Sequence, residues 1–261
     1  MIRFCSIASG SKGNCFFVEG GGVRLLVDAG LSAREITRRL ATIGVVPDSL
    51  DCILITHEHI DHISAVPVLS RRHRLDVIGT RGTLDGPSRI GKLSNHVHSS
   101  RELSAGETLK IGPMSITSFQ VSHDAMDPVG YRIEVSGDAL TIASDLGTIT
   151  HLVRSRFKES TAMIIESNHD IEMLKKGPYP WELKQRILSK HGHLSNDDCA
   201  DFLREIFHSA LSHIELAHLS EVNNEPKLAY NSVKNTLAAA HKSSNIGVAL
   251  QHNVGTIVTV K

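Results

Sequence analysis

The sequence predicts an α/β protein built in layers, and three observations carry that expectation. Short, apolar, β-branched runs alternate with helical patterns from end to end, the sign of a layered α/β fold. Strand-like runs cluster in both halves of the chain, each cluster followed by helices. Two mixed sheets between helical layers account for this more economically than one very wide sheet. No linker, low-complexity tract or long repeat interrupts the 261 residues, so residues 1–261 are expected to fold as one domain.

In the first half, residues 2–7, 15–19 and 23–28 have strand character, with Gly20-Gly21-Gly22 turning the second into the third. A helix is expected over 32–43, where Ser32 can cap, Glu35 follows three positions later, and Ile36, Leu40 and Ile43 share a face. The run 52–56 is short and β-branched, a buried strand that delivers His57 to its C-terminal end, and a helix is expected over 64–72. In the second half strands are expected over 114–121, 131–135, 140–143, 162–166, 212–217, 246–250 and 256–260, with helices over 181–189, 196–208 and 226–240.

Lys+Arg and Asp+Glu both total 28, so no global basic field announces a nucleic-acid partner and any such contact must use a local patch. Arg71-Arg72-His73-Arg74, the trio Arg34, Arg38 and Arg39, and Lys175-Lys176 are either phosphate contacts or solvated helix faces. Aromatic residues, at 4%, are too few for a stacking platform along a single strand. The N-terminus lacks a charged segment leading into an apolar one, and no window of about 18 apolar residues occurs, so a soluble, cytoplasmic protein without membrane contact is expected. Cys5, Cys15, Cys52 and Cys199 form no CxxC pair and read as buried thiols. Sixteen histidines against three tyrosines and one tryptophan point toward metal chemistry, neutral imidazole being the commonest metal ligand.

The segment His57-Glu58-His59-Ile60-Asp61-His62 concentrates that signal. In a tight loop after a strand, residues two apart can point the same way, so His57 and His59 suit one ion while Asp61 and His62 face a second. A solvated loop has no physical need for three imidazoles and a carboxylate in six residues.

This HxHxDH pattern resembles the defining motif of the metallo-β-lactamase superfamily, and the family's other motifs follow in order. Asp28 in Val-Asp-Ala-Gly resembles the aspartate that orients the ligand loop, while His123, Asp145 and His218 match the remaining ligand motifs. Within the superfamily the chain is similar to the small bacterial YycJ, WalJ or VicX group. The matching stretches are Ser9-Gly10-Ser11-Lys12-Gly13-Asn14, Glu166-Ser167-Asn168-His169-Asp170, Gly177-Pro178-Tyr179-Pro180, Gly192-His193-Leu194-Ser195-Asn196, and His218-Leu219-Ser220 followed by Asn223-Asn224. The resemblance implies a four-layer αββα sandwich and two divalent ions, zinc or manganese. His57, His59 and His123 would hold one, Asp61, His62 and His218 the other, with Asp145 bridging. It implies a nuclease acting on DNA, with no organic cofactor.

Two such ions can activate a bridging water and stabilise both oxygens of an in-line displacement, which suits a phosphodiester. Asp61 is then both ligand and orienting group for the nucleophile. His193 is a substrate contact or general acid, beside a helix that Ser195 or Asn196 caps. His169 either pairs with Asp170 in catalysis or supports the ligands from behind. Ser9, Ser11 and Asn14 offer small polar groups to a phosphate or form a plain hairpin turn. Two alternatives to a DNA exonuclease stand beside it: a hydrolase of a small phosphodiester, thioester or lactone, and a metal-binding interaction protein without catalysis.

Overall fold

The computed structural model describes residues 1–260, in which two seven-stranded sheets pack face to face between helical layers. The first sheet contains β1 (Ile2–Ala8), β2 (Cys15–Gly20), β3 (Val23–Val27), β4 (Cys52–Leu54), β5 (Asp76–Gly79) and β6 (Ser99–Glu102). The second contains β7 (Thr108–Ile111), β8 (Met114–Gln120), β9 (Val129–Val135), β10 (Asp138–Ala143), β11 (Ala162–Glu166), β12 (His213–Ala217) and β13 (Asn245–Val248). The chain then returns to the first sheet as β14 (Val258–Val260), antiparallel to β1.

Each sheet starts as an antiparallel meander and continues as parallel strands: β3 to β6 in one, β10 to β13 in the other. Parallel neighbours require crossovers, which helices provide. They are α1 (Ala33–Thr42), α2 (Ile60–Ile63), α3 (Val66–His73) and α4 (Arg81–Asp85) for the first sheet. For the second they are α5 (His151–Phe157), α6 (Ile171–Lys176), α7 (Trp181–Ile187), α8 (Asn196–Ile206) and α9 (Pro226–Ala239).

Strand periodicity decides which layer each side chain enters. On β2, Phe16 and Val18 fill the core between the sheets, while Cys15 and Phe17 fill the core under α1 and α3. On β11, Ala162 and Ile164 face the other sheet, and Met163 and Ile165 pack against α5, α8 and α9. Strands buried on both faces read as continuous apolar runs. Three stacked cores therefore make four layers. The expected helix over 64–72 is α3, which starts at Val66 with Pro67 in its first turn while the Ala65 amide donates to Ala29 O (2.8 Å), and the short α2 ahead of it is an addition. β5, β6 and β7 and α4, α5 and α6 were not expected. β6 is Ser-Ser-Arg-Glu at the sheet edge, mostly exposed, so no apolar pattern marks it.

All three basic candidates have other work in part: Arg71 donates to His96 O, and His73 Nδ1 lies 2.8 Å from Asp48 Oδ1. Arg39 is buried, its Nη1 donating to Ile7 O and Gln251 O at 2.9 Å each, and Arg38 pairs with Glu35 at 2.7 Å. Lys175 and Lys176 pair with Glu172 at 3.2 and 3.3 Å. Among the described residues no helix is long and apolar enough to cross a membrane, and all four cysteines are buried and unpaired.

Candidate metal centre

Parallel strands gather their C-terminal ends on one rim, where crevices form in α/β sheets. Asp28 follows β3 there, the 57–62 loop follows β4, Asp145 follows β10, Glu166 ends β11 and His218 follows β12. Asp28, Asp145 and His218 all sit in the left-handed region, with φ of 61°, 54° and 54°. Such backbone costs about 1–3 kcal/mol per residue and persists where the surroundings enforce it. Here it turns three polar side chains sharply off three strand ends toward one point.

The 57–62 loop is clamped by backbone bonds: Asn14 N donates to Asp61 O and Ala29 N to His62 O, both at 2.8 Å. Gly30 makes this approach possible, since a Cβ there would lie 1.6 Å from Asp61 O. Asp28 accepts hydrogen bonds from Thr56 N, Thr56 Oγ1 and His62 Nδ1, each at 2.8 Å. With Nδ1 donating to a carboxylate, His62 presents the Nε2 lone pair to the interior. Asn14 Nδ2 lies 3.0 Å from that Nε2 and the Ser9 hydroxyl accepts from His218 N at 2.7 Å. Ser9 and Asn14 thus build the site from below, whereas Ser11 lines the cleft above it.

Two donor groups result. His57 Nε2 and His123 Nε2 lie 3.1 and 3.4 Å from His59 Nδ1. Nitrogens bound about 2.0–2.1 Å from one tetrahedral ion sit roughly 3.3 Å apart, so this spacing fits a shared cation. Asp61, His62 and His218 form the second group, with Asp61 Oδ2 3.6 Å from His62 Nε2 and 3.8 Å from His218 Nε2. Asp145 faces both: its Oδ2 is 3.1 Å from His62 Nε2, and its Oδ1 is 3.7 Å from His123 Nε2 and 3.5 Å from His218 Nε2. Asp145 Oδ2 and His218 Nε2 are buried without a hydrogen-bond partner. Unpaired buried polar atoms are rare, and these two face the middle of the cluster. The donor set therefore fits divalent cations.

Electrostatics agree. Burial opposes charge on every group here, yet the neighbours win: His218 is pushed up to about 10 by Asp145, Asp61 and Glu166, and Asp145 is held well below the usual carboxylate range by His218 and His62. His57, buried beside His62 and facing no such excess of carboxylate, is driven well below the usual imidazole range. Excess buried negative charge around Asp145 calls for a positive partner, whether proton or metal.

Glu166 organises the far side. Its Oε1 accepts from His193 Nδ1 (2.7 Å) and His218 Nδ1 (2.9 Å), its Oε2 from Leu146 N (2.6 Å) and Leu194 N (3.2 Å). Burial alone would raise this acid, but the two imidazoles hold it down at about 2. Behind it, Ser167, Asn168, Asn196 and Asn224 form a buried amide network: Asn196 Oδ1 accepts from Ser167 Oγ (2.6 Å) and Asn224 Nδ2 (2.9 Å), and Asn168 Nδ2 donates to His218 O (2.8 Å). This network ties together three of the five stretches that carry the family resemblance, 166–170, 192–196 and 218–224.

The seven expected metal-site residues thus converge. His193 stands at the rim with Nδ1 held by Glu166, and Glu166 with Asp145 raises its pKa against the effect of burial. His169 does not pair with Asp170, which instead caps α6 by accepting from Met173 N at 2.8 Å. His169 is buried, and neither ring nitrogen has a partner among the described residues. Ser195, not Asn196, caps α8, accepting from Asp198 N at 3.1 Å. Sequence reading missed Glu166 as a group acting here, and Glu58, whose Oε1 takes Met126 N at 2.8 Å and latches the neighbouring loop. A groove of about 700 Å³ beside α8 holds none of these donors, and its Arg204 is already paired with Asp201 at 2.9 Å.

A four-layer sandwich with this rim cluster defines a metal-dependent hydrolase of the metallo-β-lactamase type. Residues 23–214 match the family described as a beta-lactamase superfamily domain, and the chain belongs to that superfamily. It is 39% identical to exodeoxyribonuclease WalJ of Streptococcus pneumoniae serotype 2 over 256 residues, covering 97% of this chain and 93% of that protein. It is 35% identical to exodeoxyribonuclease YycJ of Bacillus anthracis over 252 residues, covering 96% and 94%. The fold is shared with the metallo-β-lactamase fold protein YhfI of Bacillus subtilis, with a TM-score of 0.72, 17% identity and coverage of 98% of this chain and 100% of that one.

Proposed function

We propose that this chain is a two-metal exodeoxyribonuclease acting in the cytoplasm as a single catalytic domain. The observation that carries the reading is Asp145, one carboxylate facing two complete donor groups. His57, His59 and His123 would hold one ion, and Asp61, His62 and His218 the other, with Asp145 shared. Borderline zinc and the harder manganese both suit mixed imidazole and carboxylate sets. When bound, two such ions supply an activated water and charge stabilisation for an in-line displacement at phosphorus.

The chain's own groups complete the chemistry. Asp61, more exposed than Asp28, Asp145 or Glu166, borders the second group, where it can orient a nucleophile. His193, fixed by Glu166 through Nδ1, offers Nε2 to a departing alkoxide as general acid. His169 has no such opening and is assigned no contact with substrate. The two similar exodeoxyribonucleases, matched almost end to end, favour DNA over a small ester.

End-labelled duplex and single-stranded DNA, incubated with purified protein and Mn²⁺, Zn²⁺ or chelator, test the proposal, with bis-p-nitrophenyl phosphate and small esters in parallel. Stepwise release of nucleotides with metal and none with chelator is expected, and Asp61→Ala should slow it roughly a hundred-fold or more. Rapid turnover of a small ester with intact DNA under both metals would overturn it.

A further inference from the structure

The Gly177-Pro178-Tyr179-Pro180 stretch has no part in the metal centre, yet Tyr179 and, from α7, Leu183 and Arg186 wall the same cleft as His193. The mount is rigid. Prolines on both sides of Tyr179 fix their own φ. A Cβ at Gly177 would lie 2.4 Å from Asn223 Oδ1 and 2.8 Å from Met173 O, so the turn is pressed against the body of the protein. Lys184 Nζ donates to Lys175 O at 2.7 Å and Gly177 O at 2.8 Å, tying α7 to the end of α6.

Arg186 is aimed by Asp124, whose Oδ2 accepts from its Nε at 2.5 Å, while Oδ1 of the same carboxylate lies 3.2 Å from His123 Nε2. A half-buried aromatic ring, the Arg186 cation with the Asp124 carboxylate that pairs with it, and the rim imidazole thus border one opening of about 170 Å³. Pockets for drug-sized ligands run to about 300–1,000 Å³, so this one serves at most one nucleotide unit, not a run of nucleotides.

We propose that this cleft is a one-nucleotide subsite in which Tyr179 stacks on the base beside the scissile bond and Arg186 contacts the phosphate. The inference rests on the nuclease reading. Stacking tolerates any base because every base has a π-face, as an enzyme that removes successive nucleotides requires. A single platform also reconciles an aromatic-poor chain with nucleic-acid contact, since one ring serves one base at a time.

The fluorescent monophosphate of 2-aminopurine deoxyriboside, whose emission falls on stacking, titrated into the metal-loaded protein, tests the subsite. Saturable quenching is expected. Tyr179→Ala should abolish the quenching and weaken binding about 5- to 150-fold, while Tyr179→Phe retains both. Competition by deoxyribose 5-phosphate, which lacks a base, should be unchanged in Tyr179→Ala and weakened in Arg186→Gln. Quenching that survives Tyr179→Ala, a Phe variant as poor as Ala, or equal loss of the base-free ligand each refutes stacking. If wild-type protein degrades DNA but never quenches the probe, the subsite fails and the nuclease reading stands. If it binds and cleaves no DNA at all, the nuclease reading itself has failed.

Discussion

The first sheet brings its donors to the rim on one six-residue loop, whereas the second brings Asp145, Glu166 and His218 from three separate strand ends. The two sides are held differently. Asp28 anchors the first by accepting three hydrogen bonds, two from Thr56 and one from His62. Glu166 anchors the second by accepting four, and it fixes two imidazoles at once. A contiguous loop needs one carboxylate and a close backbone clamp. Donors collected from distant strand ends need a buried polar network to aim them. The first side is thus a preformed ligand loop, and the second joins ligand to proton donor.

If that division holds, the largest selective effect belongs to His193. His193→Ala should slow DNA cleavage about 10²- to 10⁴-fold, the usual worth of a positioned general acid. An activated aryl phosphodiester, whose phenolate leaves unaided, should be cleaved almost normally, and elemental analysis should find unchanged metal. Equal losses on both substrates would erase the distinction between the sides.

The two anchors can be compared directly. Asp28→Asn and Glu166→Gln should each weaken metal binding or activity about 10- to 100-fold, with Glu166→Gln toward the upper end. Glutamine offers an acceptor oxygen to only one of two donor pairs, the His193 and His218 imidazoles or the Leu146 and Leu194 amides, and turns an NH2 on the other pair, while Asp28→Asn disturbs only His62 among the imidazoles. Competitive metal titration against a chelator ranks them, and a larger loss in Asp28→Asn would reverse the comparison.

Gly30→Ala probes the backbone clamp without removing any ligand side chain. A methyl group cannot occupy space 1.6 Å from Asp61 O, so the loop must shift, costing about 1–3 kcal/mol of stability. Chemical denaturation gives the number, and an unchanged midpoint would show that the loop is looser than the clamp implies.

The smallest effect lies outside the rim, where Arg38 and Arg39 hold Glu35 down at about 2. A carboxylate with a depressed folded pKa stabilises above its unfolded pKa, and that contribution fades as pH falls through the folded value. Glu35 is substantially exposed, so its contribution is at most about 1 kcal/mol. Wild type should exceed Glu35→Gln slightly in urea midpoint near pH 7, and the gap should close between about pH 4 and pH 2. A gap that widens on acidification would mean the sign is wrong.

Much of this was legible in the residues alone. HxHxDH after a β-branched run, the Ser32 cap with Glu35, and apolar runs buried on both faces are local patterns, and local patterns fix strand, helix and ligand loop. The metal-site residues of the second half were legible only through resemblance, because His123, Asp145 and His218 are lone polar residues at strand ends. What the tertiary structure alone decided lies beyond any sequence window. Edge strand β6 exists because β5 offers it a hydrogen-bonding partner. Asp170 became a helix cap and left His169 unpaired, a choice made by the fold of one turn. Arg39 became an internal tie because a strand carbonyl 32 residues away and a loop carbonyl 212 residues away lie within its reach. Glu166 became the anchor of two imidazoles because three loops close over it, and only close packing in three dimensions sets such distances.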